Sequence, residues 1–498
     1  MGAGRAVVTG VAAGLGVLLA VVAVAAGRPD RAEVPAALAG DGAGDEAAGG
    51  VDDEVAWDPR VVDLVRFVED ERGLRFRHPV AVELLDTDAY LAELGVDTGA
   101  TTDDELDDEP EEPPEAAASV ADDGLDVLRA LGVVAPADEA AEAATGDDGS
   151  FGFYDYDQER LVVRGPDLSP TAQGTIVHEL THVLDDQHFD LDSLYADPGL
   201  TEEQFAAREA LVEGDAVRVE DAWVGTLDRT TFDEYVEGSF GPGSPTASGS
   251  LGELGVAALL QERVGVPYNL GGTMVDVLVL AGGDPALDAA FRAPPDTTEG
   301  LLDPRALVGG EQAAPVEAPV PAGTVEQTTT LGAVDLFLVL TAGIDAHTAL
   351  AATDGWGGDV AVTYAGEGGV TCVDLAVVGD TAADTDEIAA ALADWGDAGA
   401  AEATAERRDD GAAVLHACPP AGGPVEPLVD PGDAVYLPID RSYHLTEAMA
   451  VGGLGADEAF AYADCVVREL TLHQIIASYD DEVPAATQAT IDDAVAGC

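Results

Sequence analysis

His178, Glu179 and His182 stand in the spacing H-E-x-x-H inside the stretch Thr175 to His188. On a helix, residues four apart lie one turn above each other on the same face, so both imidazoles can reach one ion. Neutral imidazole is a good ligand for Zn²⁺. The glutamate after the first histidine can reach a water at the ion's open position, which makes that water the expected nucleophile.

A hydrolytic zinc needs a third protein ligand, and two residues compete for the place. His188 lies ten residues after His178, the spacing of the third histidine in H-E-x-x-H-x-x-G-x-x-H proteases. Those chains break the helix at the glycine; here the position is Asp185. On an unbroken helix His188 points about 120° away from His182 at 3.6 residues per turn. The second candidate is Glu213, in Ala210-Leu-Val-Glu-Gly-Asp-Ala216. Glu209, Glu213 and Glu220 share a face of the helix expected there, and Gly214 permits a second backbone to come close. An ionised Glu213 would complete a two-histidine, one-carboxylate site with its fourth position left for water.

These side chains need two helices and a strand to hold them. Asp167-Leu-Ser-Pro170 supplies a capping residue followed by proline, a helix start, and Ile176, Val177, Leu180, Val183 and Leu184 give that helix a buried face. Thr201-Glu-Glu-Gln204 is a capping box that opens the Glu213 helix. Phe151 to Arg164 reads as a hairpin of two strands, and a strand beside the metal helix can pair with an extended peptide. Tyr268, in Pro267-Tyr-Asn-Leu-Gly271, is a candidate proton donor to the oxyanion formed as water attacks a carbonyl; packing beside proline is its competing role.

Gly152-Phe-Tyr-Asp155, Leu161-Val-Val-Arg-Gly165, His178 to Leu191 and Ala210 to Ala216 resemble a group of bacterial zinc-metallopeptidase-like proteins similar to gluzincins. Blocks at Pro267 to Gly271, Ala293 to Glu299 and Gly355 to Asp359 also match, and the resemblance spans roughly residues 57 to 400. It implies a zincin-like domain with Glu213 as third ligand in an E-G-D-A motif. The expected chemistry is peptide-bond hydrolysis, with zinc on His178, His182 and Glu213, and with Glu179 as general base. The competing class is a catalytically silent, zincin-like binding or structural protein of the cell envelope.

The rest of the chain bounds where this chemistry would work. Its 498 residues carry 97 acidic against 21 basic side chains, all of the latter arginine, for a net charge of −76. Such an excess disfavours nucleic acid and anionic membrane surfaces as partners, and fits a halophilic, salt-tolerant surface. Residues 1–27 read as a signal peptide or an N-terminal membrane anchor, which puts the remainder outside the cytoplasm. No other segment reads as long and apolar enough to span. Residues 28–56 read as a disordered acidic linker and 97–117 as a disordered acidic insertion.

The expected fold class is α+β: a zincin-like domain over 57–310, an appended α+β module over 311–430 and a helical segment over 431–498. In the module, Leu331 to Leu340, Gly358 to Thr363, Val370 to Val378 and Ala412 to Cys418 read as strands, Asp384 to Trp395 as a helix and Gly355 to Asp359 as a turn. The four cysteines are expected to pair as Cys372 with Cys418 and Cys465 with Cys498, bridges that are stable in an oxidising compartment.

Overall fold

The computed structural model describes residues 56–94, 124–134, 151–156, 158–197, 199–241, 258–399, 402–421, 423, 427–479 and 483–498. The expected N-terminal signal or anchor, nearly all of the acidic linker and the 97–117 insertion therefore lie outside the described residues. What is described is a mixed α+β fold.

Its first part is a small sheet backed by helices. Helix α1 (Val62–Arg72) leads to β1 (Ala81–Leu85), and β2 (Gly152–Asp155) and β3 (Arg160–Arg164) form the expected hairpin. The sheet order is β1-β3-β2, with β1 parallel to β3. Helix α2 (Pro170–Phe189) lies on this sheet, α3 (Glu202–Val224) on α2, and α4 (Arg229–Phe240) against α2. Ile176, Val177, Leu180 and Leu184 of α2 close a core with Val65 and Val68 of α1, Leu161 and Val163 of β3, and Val219 and Trp223 of α3.

The long helix α5 (Ala258–Gly282) packs along α3. A Cβ at Gly214 would run into the Gly271 backbone, so these two glycines set the approach of the helices. The helix continues through Pro267. Close packing against α3 outweighs the local cost of a proline that lacks its N–H donor. By length and composition α5 is also long and apolar enough to cross a membrane, contrary to the expectation that no segment past the N-terminus would be; 56% of its apolar window is buried inside the protein.

The module is a five-stranded antiparallel sheet in the order β4-β5-β6-β8-β7. Its members are β4 (Thr324–Thr329), β5 (Trp356–Ala365), β6 (Thr371–Gly379), β7 (Glu402–Arg407) and β8 (Ala413–Cys418), with α7 (Ala382–Asp397) against it and α6 (Ala333–Thr341) beside α7. Two expectations for the module are corrected, and two strands come in addition. Leu331 to Leu340 is not a strand: α6 occupies it from Ala333, because a continuously apolar run is buried all round and its periodicity cannot separate the two states. Gly355 to Asp359 is not a turn, since Trp356 begins β5 with a register shift between Trp356 and Gly358. Edge strands β4 and β7 carry polar residues, Thr-Val-Glu-Gln-Thr-Thr and Glu-Ala-Thr-Ala-Glu-Arg, and escaped the apolar-run criterion.

Cys372 of β6 is bonded to Cys418 of β8, and Cys465 to Cys498 across the C-terminal helices, as expected. One apolar core runs from Leu125 to Ala494 and crosses both boundaries expected at 310 and 430.

A carboxylate fastens the helical part to the module. Glu203, on the first turn of α3, accepts the N–H and O–H of Thr298 at 2.6 and 2.9 Å, and the Thr298 hydroxyl accepts the N–H of Val334 at 3.1 Å. Burial pushes the Glu203 carboxyl from 4.5 up to about 8, further than the Thr298 bonds pull it down. Between those values the unfolded chain releases a proton that the folded chain keeps, so stability falls as pH rises through this window and is unpenalised below it. In concentrated NaCl, the thermal unfolding midpoint should be higher at about pH 6 than at about pH 8, and Glu203→Gln should reduce the difference. A variant with the parent's full pH dependence would contradict this account of Glu203.

Candidate metal centre

Local signals start both site helices. The Ser169 side chain accepts the Ala172 N–H at 3.1 Å with Pro170 in the first turn, and Thr201 with Gln204 forms a capping box. With its sheet-side face apolar, α2 turns His178 and His182 toward α3, where Glu213 faces them. One ligand atom from each of the three lies within 4.8 Å of the other two. Glu213 Oε2 is 3.2 Å from His178 Nε2 and 3.5 Å from His182 Nε2, and the two rings stand edge to face at 4.8 Å. His178, Glu179, His182 and Glu213 are all 0% exposed.

A further layer fixes His178. His178 Nδ1 is 3.2 Å from Glu220 Oε2, and Tyr235 donates its hydroxyl to Glu220 Oε1 at 3.0 Å. With Nδ1 committed to Glu220, Nε2 is the nitrogen left to face Glu213, an arrangement that orients imidazole ligands and raises their basicity. Gly174, one turn before His178, keeps the space: a Cβ there would sit 2.8 Å from Glu220 Oε1.

The electrostatics couple two imidazoles to two buried carboxyls. Burial alone would raise the Glu213 carboxyl, but the His182 and His178 imidazoles outweigh it and hold it at about 2. Burial likewise opposes a charge on His178, yet its contacts with Glu213 and Glu220 hold its pKa well above the ordinary value. Burial pushes Glu179 up to about 8 against the pull of His178. Both oxygens of Glu179, both ring nitrogens of His182 and Glu213 Oε1 are buried without a hydrogen-bond partner. Unsatisfied buried polar atoms are rare and costly, so their convergence here is what a metal ion would relieve. Two nitrogens and a carboxylate suit zinc.

A buried ion-pair network lies directly behind the cluster. Arg72 of α1, 0% exposed, reaches Asp215 at 2.5 Å, Asp185 at 3.0 Å and Asp288 at 3.6 Å. Its guanidinium carbon lies about 6 Å from the stacked rings of Phe189 and Phe291. Although burial favours the neutral form of Asp215, Arg72 and Arg218 keep it ionised, whereas burial beside Asp215 pushes Asp185 up. Asp185 occupies the position where a helix-breaking glycine would have swung a third histidine round. Accordingly α2 runs unbroken to Phe189, and His188 turns away with Nε2 2.8 Å from the Arg75 carbonyl oxygen.

Tyr268 lies buried in α5, three residues before Gly271. A different phenol stands in the field of the site. The Tyr156 hydroxyl, just past β2, is buried without a hydrogen-bond partner; burial and the charges of Glu213 and Glu179 hold its pKa well above the ordinary value. Gly152 lets β2 approach α2, since a Cβ there would be 3.5 Å from Glu179 Cγ and 2.6 Å from the Thr175 methyl. Among the described residues no strand pairs with the outer edge of β2. Sequence reasoning missed Tyr156 and Arg72. A tyrosine beside the hairpin turn was the only trace of the first, and the second left none.

The fold and site thus define an α+β protein with a buried His-His-Glu cluster. The family described as a domain of unknown function (DUF8575) matches residues 320–420, which cover most of the module and none of the cluster. No curated protein and no solved structure matches the chain.

Proposed function

We propose that this chain is a zinc-dependent metallopeptidase of gluzincin-like, zincin-like type, acting outside the cytoplasm. The observation that carries the reading is the convergence of His178, His182 and Glu213 ligand atoms within 4.8 Å beside the buried Glu179. His178, His182 and Glu213 would hold the ion, and Zn²⁺ there supplies Lewis acidity toward a carbonyl and acidifies water.

The chain's own groups do the rest. Glu179 takes the proton of the attacking water and passes it to the leaving amine. Glu220, held by Tyr235, keeps His178 in its ligating orientation. The Tyr156 hydroxyl and Tyr268 are the candidate hydrogen-bond donors to the developing oxyanion. The edge of β2 that no described strand pairs with, next to Glu179, would offer main-chain hydrogen bonds to an extended peptide or protein substrate. Two disulfides suit an oxidising compartment, and membrane attachment, where present, would come from residues 1–27.

One observation favours the second reading, a silent zincin-like protein of the cell envelope: all four central side chains are 0% exposed, as in a closed structural metal site. The readings separate on a mixed peptide pool analysed by mass spectrometry. The first expects cleavage that stops on chelation, returns with added zinc and is lost in Glu179→Gln. The second expects bound zinc and no cleavage.

A further inference from the structure

Away from the His-His-Glu cluster, three carboxylates converge where the helical part meets the module. Glu299 opens the short helix Glu299–Leu302, Glu311 follows Gly310, and Asp380 directly follows β6. One oxygen from each lies within 4.8 Å of the other two. The backbone holds two of them in place. Gly310, at φ +67°, turns the chain so that the Glu311 N–H donates to the Ala306 carbonyl at 2.9 Å, and the Asp380 N–H donates to the Gly355 carbonyl at 3.0 Å.

Exposed acidic groups often cluster without a ligand, but Glu299 is of another kind. It is 3% exposed, and its carboxylate is directed at Glu311 and Asp380 with no hydrogen bond from any described residue. Neighbouring arginines are engaged elsewhere: Arg305 with Asp303 at 2.6 Å, and Arg441 with Asp354 at 2.7 Å and the Leu302 carbonyl at 3.0 Å. The titratable groups facing Glu299 are Asp380, Glu311, Asp303 and Glu203, all acidic. Burial and these neighbours push its carboxyl up to about 9 when no cation is present. A buried anion among anions is stable only when a proton or a cation neutralises it.

We propose that Glu299, Glu311 and Asp380 bind a hard divalent cation of the calcium class, at a site separate from the His-His-Glu cluster. The donors are all carboxylate oxygens, which suit calcium and magnesium rather than zinc. Calcium takes about 6–8 oxygens in flexible geometry, and two solvent-exposed carboxylates leave room for water to complete the set. The ion would pin the segment after α5 to the end of β6, and so fasten the module to the helical part.

The test uses the full chain, stripped of metal and held in concentrated NaCl to suppress loose binding to its acidic surface. Calcium is titrated calorimetrically and the thermal unfolding midpoint is followed. The expected result is one saturable site with a Kd on the order of 10⁻⁴ M, and a midpoint that rises with calcium. Glu299→Gln and Glu311→Gln should each weaken binding at least about tenfold, while Glu213→Gln leaves it unchanged. Glu311 is exposed, so its variant decides the matter should the Glu299 variant fail to fold. Absence of a saturable site, undiminished affinity in Glu311→Gln, or loss of calcium binding in Glu213→Gln would overturn the proposal.

Discussion

Glu179→Gln should retain zinc and lose peptide cleavage by about 10²–10⁴-fold, the usual contribution of a positioned general base. Glu179 is not among the side chains whose ligand atoms converge, so the substitution leaves His178, His182 and Glu213 in place. Glutamine is nearly isosteric with glutamate and fills the same buried space beside Gly152, but its amide cannot take a proton. The direction of the kinetic change is informative as well. A group acting in the transition state lowers kcat and kcat/KM together, whereas one that only shapes the pocket raises KM. A variant that cleaves the peptide pool at the parent rate would remove Glu179 from the mechanism.

Arg72→Ala should be the most destabilising single change at the centre, costing about 3–5 kcal/mol, the range for removing one partner of a buried ion pair. Arg72 is 0% exposed, and its loss leaves Asp185 and Asp215 buried with only Arg218 to offset them, at 2.9 Å from Asp215. These aspartates sit three residues after His182 and two after Glu213, so the damage should reach the metal. Loss of supporting contacts behind ligands typically costs about 10–100-fold in affinity, and zinc retention should weaken on that scale. Denaturant unfolding of parent and variant, with and without zinc, measures both effects. A variant within about 0.5 kcal/mol of the parent, a change typical of surface sites, would show that the network is not what holds the centre.

How far the sequence could be read follows from which interactions are local. Ser169 with Pro170 and Thr201 with Gln204 act within one helical turn, and both helix starts lie where those residues put them. The i to i+4 spacing of His178 and His182 and the direction of His188 follow from helix geometry alone, given Asp185 in place of a breaking glycine. Glu209 and Glu220 share the face of Glu213, which was singled out through the resemblance of its E-G-D-A motif, and the contact of Gly214 with Gly271 now explains the glycine. Cys372 and Cys418 could be paired because each sat in its own strand-like run.

Long-range contacts were a different matter. Arg72 lies 113 residues before Asp185, and nothing local marks it as the hub of a buried network. The role of the Tyr156 hydroxyl depends on where α3 brings Glu213. Glu299, Glu311 and Asp380 meet only because the module folds back against the helices. Leu331 to Leu340 failed for another reason: an apolar run buried on every side has no exposed face to reveal its period.

The account stands on one divalent ion shared by His178, His182 and Glu213, and the measurement closest to that claim is metal content of the purified chain by elemental analysis. After dialysis against zinc and removal of the excess, the parent should hold zinc tightly and stoichiometrically at this centre. Affinity should fall on acidification as protons compete for His178, and His182→Ala or Glu213→Ala should lose the ion. A parent chain that contains no zinc and takes none up, or a Glu213→Ala variant that holds it as tightly as the parent, would contradict the account.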